Sequence, residues 1–140
     1  MSSAPVEPRA TVEDVRQNIH IENWDDIGIP DSQIEYYLEQ RAAPFVDEEL
    51  GRSRLAEWRL TQIEALLAGH WMAMSNVEAF RQAERTASAD GSYTWYTGTL
   101  KEADGFYATT MGDSAVRLDT TGTLEAMSKD TASITVPSVK

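Results

Sequence analysis

The sequence predicts a mainly α protein: a small antiparallel helical bundle carrying a β-hairpin or extended loop and an extended C-terminal tail. Three observations carry that expectation. Ala56, Leu60, Ile63, Leu67, His70 and Met74 recur at alternating steps of four and three, which is one face of a helix ~33 Å long. Ile34, Leu38, Ala42, Phe45, Val46 and Leu50 give a second helical stripe just upstream. After Arg85 the character changes to turn signals and a β-prone run, SYTWYTG.

The elements follow in order. Residues 1–10, with two prolines and two serines, form a flexible arm. Residues 11–126 make one helical domain. Thr11 caps a short helix near 11–20, with Glu13 and Asp14 in its first turn and Val12, Val15 and Ile19 on one face. IENWDDIGIPD is a connection punctuated by Gly28 and Pro30, with Trp24, Ile27 and Ile29 tucked onto the core. Asp31 or Ser32 caps a helix over 32–50, in which Pro44 removes a backbone bond and predicts a kink or break. Gly51 ends it. The helix over 53–74 packs antiparallel on the preceding one, with Leu66 and Trp71 widening its apolar stripe. Arg54, Glu57, Arg59, Gln62 and Glu64 mostly take its opposite side. A short helix at 76–85, a strand or loop at 92–100 and a short helix at 106–118 complete the domain; Gly112 weakens the last of these. DTTGTL is a turn, and 127–140 is the tail.

Composition bounds the function. The 140 residues make one domain, able to bury roughly 70% of the unfolded surface. The absence of cysteine excludes disulfides and thiolate metal sites. No basic and apolar leader opens the chain, and the run ALLAGHWMAM is too short to cross a bilayer. Twenty-three acids against twelve bases give a net charge of −11, and Lys101, Lys129 and Lys140 are the only lysines. Such a chain repels nucleic acid and itself, and high salt aids its folding by screening; the pattern indicates halophilic adaptation.

Chemistry-bearing residues are few. His20 and His70 show no metal-binding spacing, and no GxSxG is present. His70 reads as a hydrogen-bonded core or interface histidine in preference to a pH sensor or ligand. Asp25–Asp26 and Asp47–Glu48–Glu49 read as solvated charge in preference to acid–base pairs. The sequence therefore predicts no enzyme, no catalytic residue, no cofactor and no metal. The aromatic cluster Tyr93, Trp95, Tyr96, Phe106 and Tyr107 places rings on both faces of one strand, more than a small monomer readily buries, which reads as a face that meets a neighbour in preference to a local mini-core under a loop. Ile134 and Val136 alternate within a polar segment, as in a strand that orders on joining a partner's sheet edge, to which Pro137 would confine it.

The order of these features resembles a known family. TVEDVRQNI followed by IPDSQIEYYLEQRAAPFVDEEL, then IEALLAGHWMAM, then FYATTMGDSAVRLDTTGTLEAM are similar to the head–tail connector (adaptor, or head-completion) proteins of long-tailed, siphovirus-like viruses of bacteria and archaea. Thr110, Gly112, Ala115, Leu118, Asp119, Thr121, Gly122 and Leu124 hold matching positions in the last run, with Met111 where the family has an aromatic. The resemblance covers about residues 11–126. It implies a virion protein at the head–tail neck, made in the host cytoplasm, with Thr110, Gly112, Leu118, Asp119 and Gly122 joining Tyr93, Trp95, Tyr96, Phe106, Tyr107, Ile134 and Val136 as subunit or portal interface. Copies form a twelve-fold homo-oligomeric ring beneath the portal protein and dock the next neck or tail-completion protein. Genomic DNA passes through the lumen without specific binding, and no membrane is involved. Two other readings stay open: another neck or genome-packaging component, such as a small DNA-recognition subunit, and an acidic halophile protein–protein interaction module.

Overall fold

The computed structural model describes residues 7–19, 29–76, 78–81 and 105–128. His20, Trp24, Asp25, Asp26, Ile27, Val77, Tyr93, Trp95, Tyr96, Ile134 and Val136, the strand at 92–100 and the tail beyond Ser128 lie outside them. The described residues are mainly helical and include no extended strand.

Helix α1 spans Val12–Asn18. The Thr11 side chain accepts from the Asp14 N–H while the Asp14 carboxylate accepts from the Thr11 N–H, a reciprocal capping box. Helix α2 spans Asp31–Tyr37. Its N-cap is Pro30 and not Asp31 or Ser32; the Asp31 carboxylate instead pairs with Arg16 of α1.

Where a kink or break is expected at Pro44, the chain makes a wide π turn over Leu38–Ala42, closed by the Ala43 N–H donating to the Leu38 carbonyl, which leads into α3 at Ala43–Leu50. The cause lies in the apolar spacing. Ile34, Leu38, Ala42, Val46 and Leu50 are all buried and all four residues apart. An unbroken α-helix advances about 100° per residue, so four such steps drift the stripe by about 160°. One extra residue in a π turn takes back about 100° of that drift and keeps all five side chains inward. The wider turn also precedes Pro44, whose missing N–H falls in the first turn of α3, where it is tolerated.

Helix α4 spans Glu57–Ser75, beginning four residues after the expected start. Ser53 closes the preceding turn instead, its hydroxyl donating to the Leu50 carbonyl at 2.6 Å. Helix α3 packs on α4, but α4 is not two-sided. Every residue from Ile63 to Gly69, and His70 after them, is buried, because α1, α2, the π turn, α3 and a later helix all pack around it. Ala56 and Met74, the ends of the expected seam, are exposed and half-buried respectively. Gly69 permits a close approach: a Cβ there would lie 2.6 Å from Cδ1 of Ile19, the residue that ends α1.

Glu64 overturns the expected polar back of this helix. It is fully buried, and one carboxylate oxygen accepts the N–H groups of Arg9 (2.6 Å) and Ala10 (3.0 Å). Its second oxygen accepts from the Arg9 guanidinium at 3.3 Å, and that guanidinium also meets Asp47 (3.3 Å) and Glu57 (2.9 Å). Arg9 and Ala10, at the end of the expected arm, are thus held against α3 and α4, while residues 1–6 lie outside the described residues.

Residues 78–81 are helical, with Phe80 fully buried. A 3₁₀ turn at Gly105–Ala108 leads into α5, Thr110–Leu118, the element most extensively packed on α4. Residues 123–128 form a further helical stretch, where the sequence predicts a turn through Leu124 and a tail from residue 127. Leu124 and Ser128 on it are buried, and the Ser128 hydroxyl accepts from the Phe106 N–H at 3.3 Å.

Candidate functional site

The distinctive chemistry gathers where α4 meets residues 105–128. Thr109 has extended backbone (φ −129°, ψ 159°) and caps α5, its hydroxyl accepting from the Gly112 N–H at 3.0 Å. The same hydroxyl lies 2.8 Å from Nδ1 of His70. With Nδ1 as acceptor, the hydroxyl uses both a lone pair and its own proton, and the imidazole is neutral. Gly112 lets these parts meet: a Cβ on it would stand 2.0 Å from the Phe106 carbonyl oxygen and 2.8 Å from His70 Nδ1. The glycine that weakened the expected helix is what allows it to dock.

Around the histidine is an aromatic cluster drawn from three parts of the chain. Phe45 of α3 packs edge-on against Trp71 (5.3 Å between ring centres) and Phe106 (5.9 Å). The His70 ring lies 5.7 Å from Phe106. The Arg41 guanidinium, presented by the π turn, sits 4.9 Å over the Trp71 ring. Burial first, and the nearby Arg41 cation second, push the His70 imidazole down to about 4. His70 is thus a hydrogen-bonded core histidine.

Asp119 organises the following turn. It is buried, with one carboxylate oxygen accepting from the Thr121 N–H (3.0 Å) and the Thr121 hydroxyl, and the other from the Leu124 N–H (2.8 Å). Gly122 adopts φ +80°, the left-handed conformation the turn requires. Asp119→Ala strands two backbone donors and should lower stability by about 2 kcal/mol, whereas Asp119→Asn, which retains an acceptor, should lose about half as much. Urea midpoints in molar salt check the order of the two.

The other expected interface positions divide by exposure. Phe106, Gly112 and Asp119 are buried within the subunit, Thr110, Leu118 and Gly122 are half-buried, and Tyr107 is 37% exposed. Thr110 is the first residue of α5, and the capping hydroxyl belongs to its neighbour Thr109. Met111, in place of an aromatic, is buried, its Cγ 3.5 Å from where a Cβ on Gly69 would stand, and its pliable thioether suits that wedge. Two exposed rings went unmarked in the sequence: Trp58 (60%), beneath the Arg59 guanidinium, and Tyr36 (56%). A large ring in an otherwise polar stretch was the available signal for both.

Among the described residues no group of three or more His, Asp or Glu side chains is placed to hold a metal ion, and no helix is long and apolar enough to cross a membrane. Asp47, Glu48 and Glu49 are exposed. Comparison with protein-family models, curated proteins and solved structures returns no match.

Proposed function

We propose that the chain is a structural virion protein, a head–tail connector whose copies close a ring beneath a portal, extend its DNA channel and dock the neck or tail. The observation that carries this reading is the run from Thr110 to Leu124 that resembles the connector family. In this fold Gly112, Ala115, Asp119, Gly122 and Leu124 of that run each have a defined place in one compact unit. The role is geometric and requires no catalytic residue: heterologous contacts between neighbours close a ring. Large rings facing solvent at Tyr36, Trp58 and Tyr107, on a chain of net charge −11, supply apolar points for such contacts while the surrounding carboxylates discourage DNA from sticking.

The test is assembly in molar salt. Native mass spectrometry or mass photometry of the chain mixed with a portal protein from the same virus should show copies joining the portal ring. Chains that remain monomeric beside an intact portal would refute the connector role. Tight DNA binding at moderate salt would favour a packaging subunit instead.

A further inference from the structure

His70 joins two parts of the fold through a contact that tolerates one charge state. Helix α5 faces it with the Thr109 hydroxyl and the Gly112 backbone, and the 3₁₀ turn with the Phe106 ring. On its own helix Trp71 is the neighbouring ring, and the π turn contributes the Arg41 guanidinium. Arg41 is the charged group that acts on it. Of the carboxylates on the elements that meet here, Asp113 of α5 pairs with Arg117 at 2.9 Å, and Glu64 of α4 is held by Arg9 and Ala10. Among the described residues, an imidazolium here would meet a second cation and the positive N-terminal end of α5, with no carboxylate recorded as offsetting them.

We propose that His70 is an acid-sensitive latch whose protonation frees residues 105–128 from α4 before the rest of the bundle unfolds. The proton adds to Nδ1 and turns an acceptor into a donor. The Thr109 hydroxyl must then rotate its own proton away while still holding the Gly112 N–H. Once residues 105–128 separate, the imidazole meets water and regains its ordinary affinity for protons, so the open form binds the proton more tightly. The closed form therefore keeps its full stability above about 6.5 and loses it as pH falls toward about 4. Elsewhere α1, α2 and α3 remain on α4 through Val15, Ile34, Val46 and Leu50, which make no use of the histidine. The latch is independent of whether copies assemble.

Hydrogen exchange in molar salt, corrected for intrinsic rates, reads the latch directly. Between pH 7 and 5, amide protection within 105–128 should fall on the order of twentyfold while the amides of α2 and α3 hold theirs. His70→Gln should abolish that selective loss. Arg41 is exposed, so Arg41→Gln should fold; it should raise the titration midpoint of His70 followed by NMR and shrink the loss. Loss of protection in step throughout the chain would overturn the proposal, as would a selective loss that survives in His70→Gln or is unchanged in Arg41→Gln.

Discussion

Gly112→Ala is expected to destabilise the protein by about 3 kcal/mol and to lower its melting temperature by ~10 °C. The added carbon would stand 2.0 Å from a backbone carbonyl, that of Phe106, so no side-chain rotation relieves it. Either the 3₁₀ turn shifts, breaking the Phe106–Ser128 bond, or α5 moves and gives up the contact between Thr109 and His70. Gly122→Ala separates steric from conformational causes. Nothing lies within 4 Å of a Cβ there, so its penalty is confined to the left-handed backbone, about 1 kcal/mol. Thermal unfolding of both variants in molar salt should rank them in that order. Equal losses would mean that the close approach at Gly112 is not what holds α5 in place.

Glu64→Ala is expected to cost about 3–5 kcal/mol, because it removes the acceptor of two backbone N–H groups and opens a cavity beside α4. Glu64→Gln keeps a carbonyl oxygen for those donors and gives up the charge facing Arg9, for about 1–2 kcal/mol. The remaining partners of Arg9 contribute little by comparison. Asp47 and Glu57 are half or more exposed, and Asp47→Asn should stay below about 1 kcal/mol. Urea unfolding of the three variants gives the ranking. A Glu64→Ala midpoint no lower than that of Asp47→Asn would show that residues 9–10 are not fixed through this carboxylate.

Periodicity and local capping were legible in the sequence. Thr11, the helical run through Leu60, Ile63, Leu67 and His70, and the apolar stripe from Ile34 to Leu50 all read correctly, because each depends on residues within a few turns of one another. Glu64 did not. A carboxylate in a helix is read as solvated, and its burial depends on backbone donors more than fifty positions away. A weaker signal was present: ALLAGHWMA is apolar on every side, as a helix enclosed all round must be. Asp119 was read as part of an interface motif, whereas its carboxylate closes its own turn and braces the next helix. Gly112 was read by helix propensity, which carries no information about a carbonyl arriving from another segment.

The wide turn at Leu38–Ala42 also bears on how this chain tolerates insertion and deletion. Removing one residue there would restore an unbroken α-helix with its flanking faces in phase, a change that sequence comparison would score as benign. It would also bring the Pro44 ring against the carbonyl one turn back, which the present geometry avoids. The surplus residue and the proline are thus a matched pair: shortening the segment should be tolerated when Pro44 is replaced by alanine and harmful when it is kept, a strongly non-additive combination.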